Sequence, residues 1–436
     1  MIKKAAFYTL GCKVNQYETE AVIDIFLDNG YQIVDFSEMA DVYIVNSCTV
    51  TNEAARKTRQ IARRAKRRSP DSLVAIVGCY TQAFPDEVSE IEEIDFVMGS
   101  NNKAEILDKA EEMLAGRDVD AEIKKYKELR DYEELNLKRL SNTTRANVKI
   151  EDGCNQFCSY CIIPYARGPV RSRKKEDVVA EIRKLSQQGV KEIILTGTHL
   201  GAYGSENGNS KALTELMQSL TEIESLKRVR LSSIEGTEID QGMMDLIAEE
   251  DIFCPHLHLP LQSGSDQILD AMQRPYTVAE FKETVAELRK RIPDLALTTD
   301  VIVGFPGETE ETFAQTVEVV KEIGFAKVHV FPYSAREGTP AAGMDQLNGN
   351  IVTEYSKKLR LINEALMLDY QKEFLGEKRE VLIEEVRDHQ TDLLTGYTDN
   401  YLKVLVDGPD ELKNELVEVK LEEPFDSHHI LGKIID

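Results

Sequence analysis

Short apolar runs alternate with helical patterns over the first part of the chain. The apolar runs read AAFYTL, YQIVDF, DVYIVN, LVAIVG and IDFVMG, and most are followed by segments with apolar residues at helical spacing. Runs this short predict buried strands, and helices between them cover the faces of the sheet that such strands form. Residues 1–116 are therefore predicted to form an α/β domain with a parallel sheet. Residues 117–142 are highly charged without a clear apolar stripe and are predicted to be a connector with some helix.

The alternation resumes on a larger scale after the connector. Six strand candidates follow in the order ANVKIE, EIILTG, RVRLSS, HLHLPL, ALTTDVIVG and KVHVFPYS, separated by helical segments such as EDVVAEIRKLSQQG. Six strand–helix units are too few for the usual closed eight-stranded barrel. Residues 143–370 are therefore predicted to form an open, partial (β/α)6 barrel.

The last part of the chain changes to an all-β pattern. A long amphipathic helical stretch ends near Gly376, and short strand candidates follow it. Short strands over about 60 residues are typical of a small barrel of the OB type. Residues 371–436 are predicted to form this barrel, so that the whole chain is an α/β protein with three domains.

Composition is that of a soluble globular protein, with 42% apolar and 30% charged residues. The first residues contain no extended apolar stretch and no small-residue cleavage site, and no run of 18 apolar residues occurs, so we expect a cytoplasmic protein without a membrane segment. Seven cysteines in a reducing compartment do not indicate a disulfide framework. Metal binding and burial remain as the two explanations for these cysteines.

The charge of the chain restricts how it can contact nucleic acid. A net charge of −24 and an isoelectric point near 4.9 argue against nonspecific coating of nucleic acid, which needs many neutralised phosphates. Any contact is therefore local, and two basic segments are candidates for it, RKTRQIARRAKRR at 56–68 and ARGPVRSRKK at 166–175. A solvated helix face and an ordinary loop explain the same segments without a ligand.

Cys154, Cys158 and Cys161 form a CxxxCxxC motif directly after a predicted strand. Strand-end loops carry the active sites of folds built from parallel strands. Four thiolates would complete a zinc site or a cluster, whereas three leave one metal position open for a substrate. The spacing differs from that of bacterial ferredoxins, and a structural zinc site would need a second pair of ligands. The motif predicts an iron–sulfur cluster with an open iron, and a structural metal site is the alternative.

Three further cysteines, Cys12, Cys48 and Cys79, each end a different predicted strand of the first domain. Because the carboxyl ends of parallel strands share one edge of the sheet, we expect the three thiols to meet there and to bind a ligand. Burial as small apolar side chains is the alternative. Cys254 has no such partners, and burial is its expected role.

The motifs resemble those of the radical S-adenosylmethionine methylthiotransferase family. CxxxCxxC with Tyr160 before its third cysteine resembles the superfamily, and the family's motifs follow in the expected order: TLGCKVNQYE, VNSCT, GCY, DGCNQFCSYCIIPYARG, LTGTHLGAYG, LSSIE, LHLPLQSGSD, VGFPGETEE and FPYSAREGTPA. The C-terminal barrel is similar to the TRAM domain of these enzymes, so the resemblance covers nearly the whole chain. Around the first cysteine, the chain is most similar to members that methylthiolate threonylcarbamoyladenosine in tRNA. Siblings act on isopentenyladenosine in tRNA or on an aspartate of a ribosomal protein.

The resemblance implies two [4Fe-4S] clusters and S-adenosylmethionine as cofactors. The cluster on the CxxxCxxC cysteines would cleave S-adenosylmethionine, and the 5′-deoxyadenosyl radical would remove hydrogen from C2 of the target adenine. The cluster on the three N-terminal cysteines would hold and deliver the sulfur. The implied partners are the tRNA anticodon stem-loop, an electron donor such as flavodoxin or ferredoxin, and a sulfur source.

The resemblance also implies cofactor or substrate contacts at or beyond the strand ends. The residues concerned are Tyr160, Gly197, Glu235, Gln262, Asp300 and Arg336. Gly197 and Gly201 would permit close backbone approach, for which a tight turn is the alternative. Exposed polar positions are the alternative for the four polar residues. VGFPGETEE lacks the GK[ST] ending of a phosphate loop, and Glu308 is expected to be an ordinary acid at a helix start.

The C-terminal barrel is an unusual RNA-binding candidate because of its charge. From Lys378 onward, acids outnumber bases about two to one. RNA affinity would then come from a restricted face of the barrel or from the basic segments upstream. Tyr397 and Tyr401 are candidates for stacking on RNA bases, and core positions are the alternative.

Overall fold

The computed structural model describes residues 2–117, 119, 123–138 and 144–435. Its first domain consists of β1 (Lys4–Thr9), α1 (Lys13–Asp28), β2 (Gln32–Val34), β3 (Val42–Ser47), α2 (Asn52–Arg68), β4 (Leu73–Gly78), α3 (Cys79–Ala83), α4 (Pro85–Ser89), β5 (Phe96–Met98) and α5 (Ile106–Leu114). The five strands run parallel in the order β2-β1-β3-β4-β5. β3 and β4 are buried along their whole length because helices cover both faces of the sheet. The predicted parallel-sheet domain is confirmed.

The central domain is built from strand–helix units. It consists of β6 (Arg145–Lys149), β7 (Glu151–Asp152), α6 (Ile163–Arg167), β8 (Arg171–Ser172), α7 (Lys175–Gln187), β9 (Glu192–Thr196), α8 (Ala212–Leu220), β10 (Arg228–Leu231), α9 (Gln241–Glu249), β11 (His256–His258), α10 (Asp266–Ala271), α11 (Val278–Arg291), β12 (Ala296–Val303), α12 (Glu310–Ile323), β13 (Lys327–Pro332) and α13 (Gly349–Glu373). Two parallel groups, β6-β9-β10 and β11-β12-β13, are joined by isolated parallel bridges. This arc of six strands confirms the predicted partial barrel. Tyr17 and Ala21 of α1 belong to its apolar core, so the first two domains pack as one unit.

The C-terminal domain is a closed barrel, which confirms the predicted small barrel, and its strand order is β14-β15-β16-β18-β17. Its strands are β14 (Lys378–Ile383), β15 (Leu394–Thr398), β16 (Lys403–Val406), β17 (Leu416–Pro424) and β18 (Ile430–Ile434). α13 runs across the predicted boundary at residue 370, and Phe374 just after it lies in the barrel core. The exact domain boundaries remain predictions. Over the part of the chain that the structure describes, no helix has both the length and the apolar character to cross a membrane.

The C-terminal barrel docks against the amino ends of the central strands. Arg145, the first residue of β6, pairs with Glu384 at 2.7 Å, and its guanidinium lies 4.6 Å from the ring centre of Tyr397. Arg230 lies 5.1 Å from the ring of Tyr401, which also stacks on an imidazole of the central domain at 4.2 Å. Both tyrosine rings are therefore packed in the domain interface, which favours the structural explanation over stacking on RNA.

The described part of the connector packs its leucines against the rest of the protein and contains little helix. Its described residues contain one 3-10 turn, Tyr126–Glu128, in place of a longer helix. Leu129, Leu135 and Leu137 are buried, and the last two join the core of the central domain. The rest of this expectation, at residues 118, 120–122 and 139–142, lies outside the described residues.

Candidate active site

The CxxxCxxC cysteines lie in the loop between β7 and α6. The backbone N–H of Cys154 donates to the carbonyl of Gly168 at 3.0 Å, which closes the base of the loop. Gly153 has φ +100°, and a Cβ there would come within 2.1 Å of the Pro169 carbonyl oxygen. Only glycine fits at that position, because it alone tolerates both the positive φ and the close approach. Local sequence therefore fixes how the three cysteines leave the strand.

Each of two thiols in this loop faces a cationic side chain. The guanidinium of Arg274 donates to Cys158 Sγ at 3.3 Å and also pairs with Glu235. Cys154 Sγ lies 3.7 Å from Nδ1 of His199. Such groups stabilise thiolates by charge and by hydrogen bonding. Neither Arg274 nor His199 was predicted from the sequence as a site residue. Both side chains nevertheless lie next to predicted ligands.

Burial and charge act in opposite directions on these groups. Burial raises the pKa of Cys161 to about 12, because a thiolate without a partner is costly in that environment. Burial lowers the pKa of His199, but hydrogen bonds with Cys154 and Glu238 outweigh it and raise the pKa to about 11. His199 lies inside LTGTHLG, so its motif was a usable signal. Arg274 had no comparable local signal.

The donor set fits an iron–sulfur cluster better than a single metal ion. Within the described residues, no three His, Cys, Asp or Glu side chains are arranged to hold one ion. A [4Fe-4S] cluster makes a different demand, because each thiolate binds its own iron at a separate corner. Three thiols in one loop fit such a cluster with one iron left free. The structural zinc alternative is disfavoured.

A cavity of about 190 Å³ lies between this loop and the first domain. Three predicted contact residues, Tyr160, Gln262 and Asp300, line it together with Cys161. Val50 and Thr51, which follow Cys48 in the chain, form part of its wall, and further lining comes from the end of β13. The structure therefore brings three of the predicted side chains to one place, between the CxxxCxxC loop and the first domain.

The predicted glycines make room for carboxylates of the protein itself. A Cβ on Gly197 would lie 2.7 Å from Oε2 of Glu151, and one on Gly201 would lie 2.0 Å from Oε2 of Glu238. Glu238 in turn pairs with His199 Nε2 at 2.6 Å. Close approach is therefore required at both glycines, and the observed neighbour is a protein carboxylate. A cofactor contact at Gly197 remains a prediction.

Two other predicted residues have protein partners that connect the domains or the loop. Glu235 pairs with Arg274 beside the CxxxCxxC loop. Arg336 donates to Thr49 Oγ1 at 2.7 Å and to the side chain of Asn52, both in the first domain. Arg336 is therefore outside the set that lines the cavity. Cofactor or substrate contacts from these two residues remain predictions.

Glu308 differs from the expectation of an ordinary helix acid. It is buried, it precedes the N-cap residue Thr309 of α12, and its Oε2 accepts a hydrogen bond from Gly304 N–H at 2.6 Å. Burial raises its pKa to about 7. The carboxyl group closes the loop before the helix, a role that the chain pattern alone did not indicate.

The three N-terminal cysteines lie at neighbouring strand ends. Cys12 is the N-cap residue of α1, Cys48 directly follows β3, and Cys79 is the first residue of α3 after β4. A Cβ on Gly11 would lie 3.1 Å from Cys48 Sγ, which places that thiol beside the loop of Cys12. Cys48 and Cys79 are buried and Cys12 is exposed. The structure brings the three together as expected, and their role as ligands remains a prediction.

Arg167 connects this edge to the CxxxCxxC loop. It lies in α6, directly after that loop, and its Nε donates to Cys79 Sγ at 3.1 Å. The same fully buried guanidinium bonds Glu18 at 2.6 Å and Asp152 at 3.3 Å. One side chain therefore contacts a thiol of one site from the helix that follows the other.

The network around Arg167 contains more cations than carboxylates. Arg167 and three further buried cations surround two buried carboxylates, and the pairs are Lys103–Glu18 and Lys149–Glu18 at 3.0 Å and Arg171–Asp152 at 3.1 Å. A buried positive excess lowers the cost of burying thiolates beside it. Burial raises the pKa of the Cys48 thiol to about 12 and also raises that of Cys79, whereas the charge of Arg167 acts on Cys79 in the opposite direction.

This burial also corrects the interpretation of the basic segment 166–175. Arg167, Arg171 and Arg173 are 1%, 3% and 1% exposed, and Arg173 pairs with Glu181. The exposed-loop explanation and the nucleic-acid explanation are both wrong for these three arginines. Buried carboxylates neutralise the charges of these arginines, and composition alone does not reveal such pairing.

Comparisons with known proteins agree with the site. Residues 148–320 match the model described as Radical SAM superfamily, and residues 4–99 match the model described as Uncharacterized protein family UPF0004. The threonylcarbamoyladenosine tRNA methylthiotransferase MtaB of Bacillus subtilis (strain 168) is 42% identical, over 95% of this chain and 93% of the relative. Its namesake from Aquifex aeolicus (strain VF5) is 40% identical, over 94% and 98%.

A sibling and a solved structure extend the comparison. The tRNA-2-methylthio-N(6)-dimethylallyladenosine synthase of Thermoanaerobacter pseudethanolicus is 36% identical, over 95% of this chain and 89% of the relative. The fold is similar to that of the radical S-adenosylmethionine methyltransferase TsrM from Kitasatospora setae, with a TM-score of 0.61 at 17% identity over 78% of this chain and 77% of that one. With relatives this similar over nearly its whole length, the chain belongs to the radical S-adenosylmethionine methylthiotransferase family.

Proposed function

We propose that the chain transfers a methylthio group to C2 of N6-threonylcarbamoyladenosine adjacent to the anticodon in tRNA. The observation that carries the proposal is similarity over nearly the full length to two relatives named for this substrate, at 42% and 40% identity. The two groups of cysteines support it, together with a cavity that Cys161 lines and that residues following Cys48 help to form. Such a reaction needs one place to activate the C–H bond and another to deliver sulfur.

Cys154, Cys158 and Cys161 would hold the cluster that binds S-adenosylmethionine. When bound, the reduced [4Fe-4S] cluster supplies the electron that cleaves S-adenosylmethionine, and the radical so formed removes hydrogen from the inert C2–H bond. Arg274 holds a positive charge against the Cys158 thiolate. A positive charge at this position stabilises the deprotonated cysteine and changes the reduction potential of the metal that the cysteine binds.

The cavity residues would position what reacts. Tyr160, Gln262 and Asp300 offer a ring, an amide and a carboxylate on one wall, a set suited to binding an adenine and its polar substituents. Val50 and Thr51 of the first domain form another part of its lining. A sheltered site protects a reactive radical from side reactions with solvent.

Cys12, Cys48 and Cys79 would hold the second cluster, which carries the sulfur to be inserted. Arg167 donates its Nε–H to Cys79 Sγ, and its other N–H groups donate to buried side chains that include Glu18 and Asp152. Cys12 is the exposed member of the group, so a sulfur source would have access from its side. An electron donor such as flavodoxin or ferredoxin is the remaining proposed partner.

Isopentenyladenosine in tRNA is the second candidate substrate. The relative from Thermoanaerobacter pseudethanolicus, named for the dimethylallyl form of this nucleoside, favours it at 36% identity. All six proposed ligands would keep their roles with either nucleoside. The two functions therefore differ in what the cavity admits, and a product analysis separates them.

Mass spectrometry of tRNA nucleosides tests the proposal directly. The gene is expressed in a host that lacks this modification, and digested tRNA is compared with and without it. We expect 2-methylthio-threonylcarbamoyladenosine to appear with the gene and to be absent from a Cys154→Ala control. Appearance of 2-methylthio-isopentenyladenosine in its place would establish the second candidate. Absence of both, with S-adenosylmethionine cleavage intact, would contradict both tRNA substrates.

A further inference from the structure

The cations of α2 take no part in the function proposed above. The helix contains eight Lys and Arg residues and one acid, Glu53, in a chain with a net charge of −24. Its buried side consists of small or apolar residues such as Ala55, Ile61 and Ala62. A helix with one apolar stripe presents its charged residues on the opposite face. α2 therefore carries a basic face on an acidic protein.

Part of this basic face has no partner of its own. Arg64 and Arg67 are exposed and make no hydrogen bond or ion pair with any residue that the structure describes. Lys57 has only a 3.9 Å contact with Glu53. Positions 57, 64 and 67 fall on one side of a helix, because residues three, four or seven apart are neighbours. Arg56 and Arg63 form exposed pairs with Glu53 and Glu93, and exposed pairs are weak and easily exchanged for another anion.

The start of α2 is attached to the mouth of the cavity. The backbone N–H of Asn52 donates to Ser334 Oγ at 3.1 Å, and its side chain donates to the Ala335 carbonyl at 3.1 Å. Val50, just before the helix, and Phe331, at the end of β13, both line the cavity and are 52% and 45% exposed. An exposed ring therefore lies at the opening from which the basic helix leads away.

We propose that α2 and Phe331 form the surface that binds the RNA strand beside the target nucleotide, with Lys57, Arg64 and Arg67 on phosphates and Phe331 stacked on a base. This proposal rests on the proposed function, since it takes tRNA to be the substrate. Proteins that bind single strands combine a positive track with aromatic side chains in this way. A helix of 17 residues is about 25 Å long, which is enough to follow several nucleotides.

The C-terminal barrel offers the competing surface. Lys378, Lys420 and Lys433 lie side by side across β14, β17 and β18. Lysines directly opposite one another repel, so this row also attracts anions. The barrel, however, docks at the amino ends of the central strands through contacts such as Arg145–Glu384, whereas the cavity lies at their carboxyl ends. Position therefore favours α2 for the strand that enters the cavity.

Salt-dependent binding of an anticodon stem-loop RNA tests the surface. The cluster-loaded full chain is compared with a triple variant, Lys57→Gln, Arg64→Gln and Arg67→Gln. Each lost phosphate contact removes about 0.7 from the slope of log K against log salt for a single strand, so three contacts remove about 2. We expect this change in slope together with roughly tenfold weaker binding at low salt.

Two further variants make the test specific. The matched triple Lys378→Gln, Lys420→Gln and Lys433→Gln removes the same charge from the barrel, and we expect it to leave the α2-dependent part of the slope in place, so that losses from the two triples add. Phe331→Ala should weaken binding at least about fivefold, the low end for loss of one base stack, without altering the slope. Iron content and circular dichroism establish that each variant is folded.

Equal binding by the α2 triple and the wild type would overturn the proposal. A loss confined to the barrel triple, or no RNA binding by the wild type, would overturn it as well. The proposed function has a separate readout, because the same wild-type protein is assayed for methylthiolation of tRNA. If binding depends on α2 but no nucleoside is methylthiolated, the surface stands and the proposed function fails. If nucleosides are modified and the α2 triple is unaffected, only the surface fails.

Discussion

The two cysteine sites differ in what builds them and what surrounds their sulfur atoms. One loop supplies Cys154, Cys158 and Cys161, a cavity adjoins it, and its cation Arg274 is already paired with Glu235. The N-terminal thiols come from three strand ends and lie against a buried network with more cations than carboxylates. Local sequence makes the first site and leaves it open to a ligand. Tertiary structure makes the second and closes two of its thiols from solvent.

Removal of each trio should separate the two sites most strongly. We expect alanine at Cys154, Cys158 and Cys161 to abolish formation of 5′-deoxyadenosine. Alanine at Cys12, Cys48 and Cys79 should spare that reaction and stop sulfur insertion, because each trio would hold its own cluster. Both products are measured by mass spectrometry after anaerobic incubation with dithionite. Methylthiolation that survives the N-terminal changes would contradict a ligand role for that trio.

Arg167 should matter more to the N-terminal site than to the CxxxCxxC site. Arg167→Met leaves Glu18 and Asp152 short of a buried partner, which typically costs about 3–5 kcal/mol, and removes the donor to Cys79. We expect bound iron to fall toward half, with the remaining electron paramagnetic resonance signal that of the CxxxCxxC cluster. Arg167→Lys, which keeps the charge, should retain more iron. Unchanged iron and spectra in the methionine variant would show that this contact is dispensable.

Arg274 provides the corresponding change at the open site. Arg274→Met removes a positive charge and a donor 3.3 Å from Cys158 Sγ. Loss of such an outer contact typically costs about 10–100-fold in activity or metal affinity, and a more negative surrounding lowers the reduction potential. We expect slower 5′-deoxyadenosine formation at a fixed dithionite concentration. Arg274→Lys keeps a positive charge and serves as the control. A normal rate in the methionine variant would place the tuning elsewhere.

Glu151 should give an effect on stability that is visible only through pH. Burial raises its pKa from 4.5 to about 8, so the folded chain holds a proton that the unfolded chain releases. Its contribution to the free energy of unfolding is full below pH 4.5 and is lost as the pH rises through about 8. Glu151→Gln should therefore match the native protein near pH 4.5 and exceed its stability at pH 8.5. Parallel urea curves at the two pH values measure this, and an equal difference at both would contradict it.

Much of the fold could be predicted from the spacing of apolar residues and from the length of the apolar runs. The apolar runs that became β3 and β4 are buried on both faces, and buried parallel strands have that continuous pattern. The CxxxCxxC loop is also local, so its position after a strand could be predicted. The meeting of Cys12, Cys48 and Cys79 follows from sheet topology alone, because each ends a parallel strand.

Contacts between distant segments could not be predicted in the same way. Arg167 meets Glu18 and Cys79 only because α6 packs against the edge of the first sheet. Before that contact is known, its segment has the same charge pattern as an exposed basic loop. Tyr397 is a similar case, since its guanidinium neighbour Arg145 belongs to another domain. Sequence patterns report local exposure, whereas these residues are defined by what packs onto them.

The hydrogen bonds of Asn52 to Ser334 and Ala335 have a consequence for how a position in RNA is chosen. They fix the distance between the basic helix and the cavity, so a strand bound to the helix as proposed would present one nucleotide at the opening. The target nucleotide would then be selected by its distance along the RNA backbone from the phosphates bound to the helix. Neighbouring adenines with the same chemistry would remain outside because they are out of register, with no base in the loop having to be read.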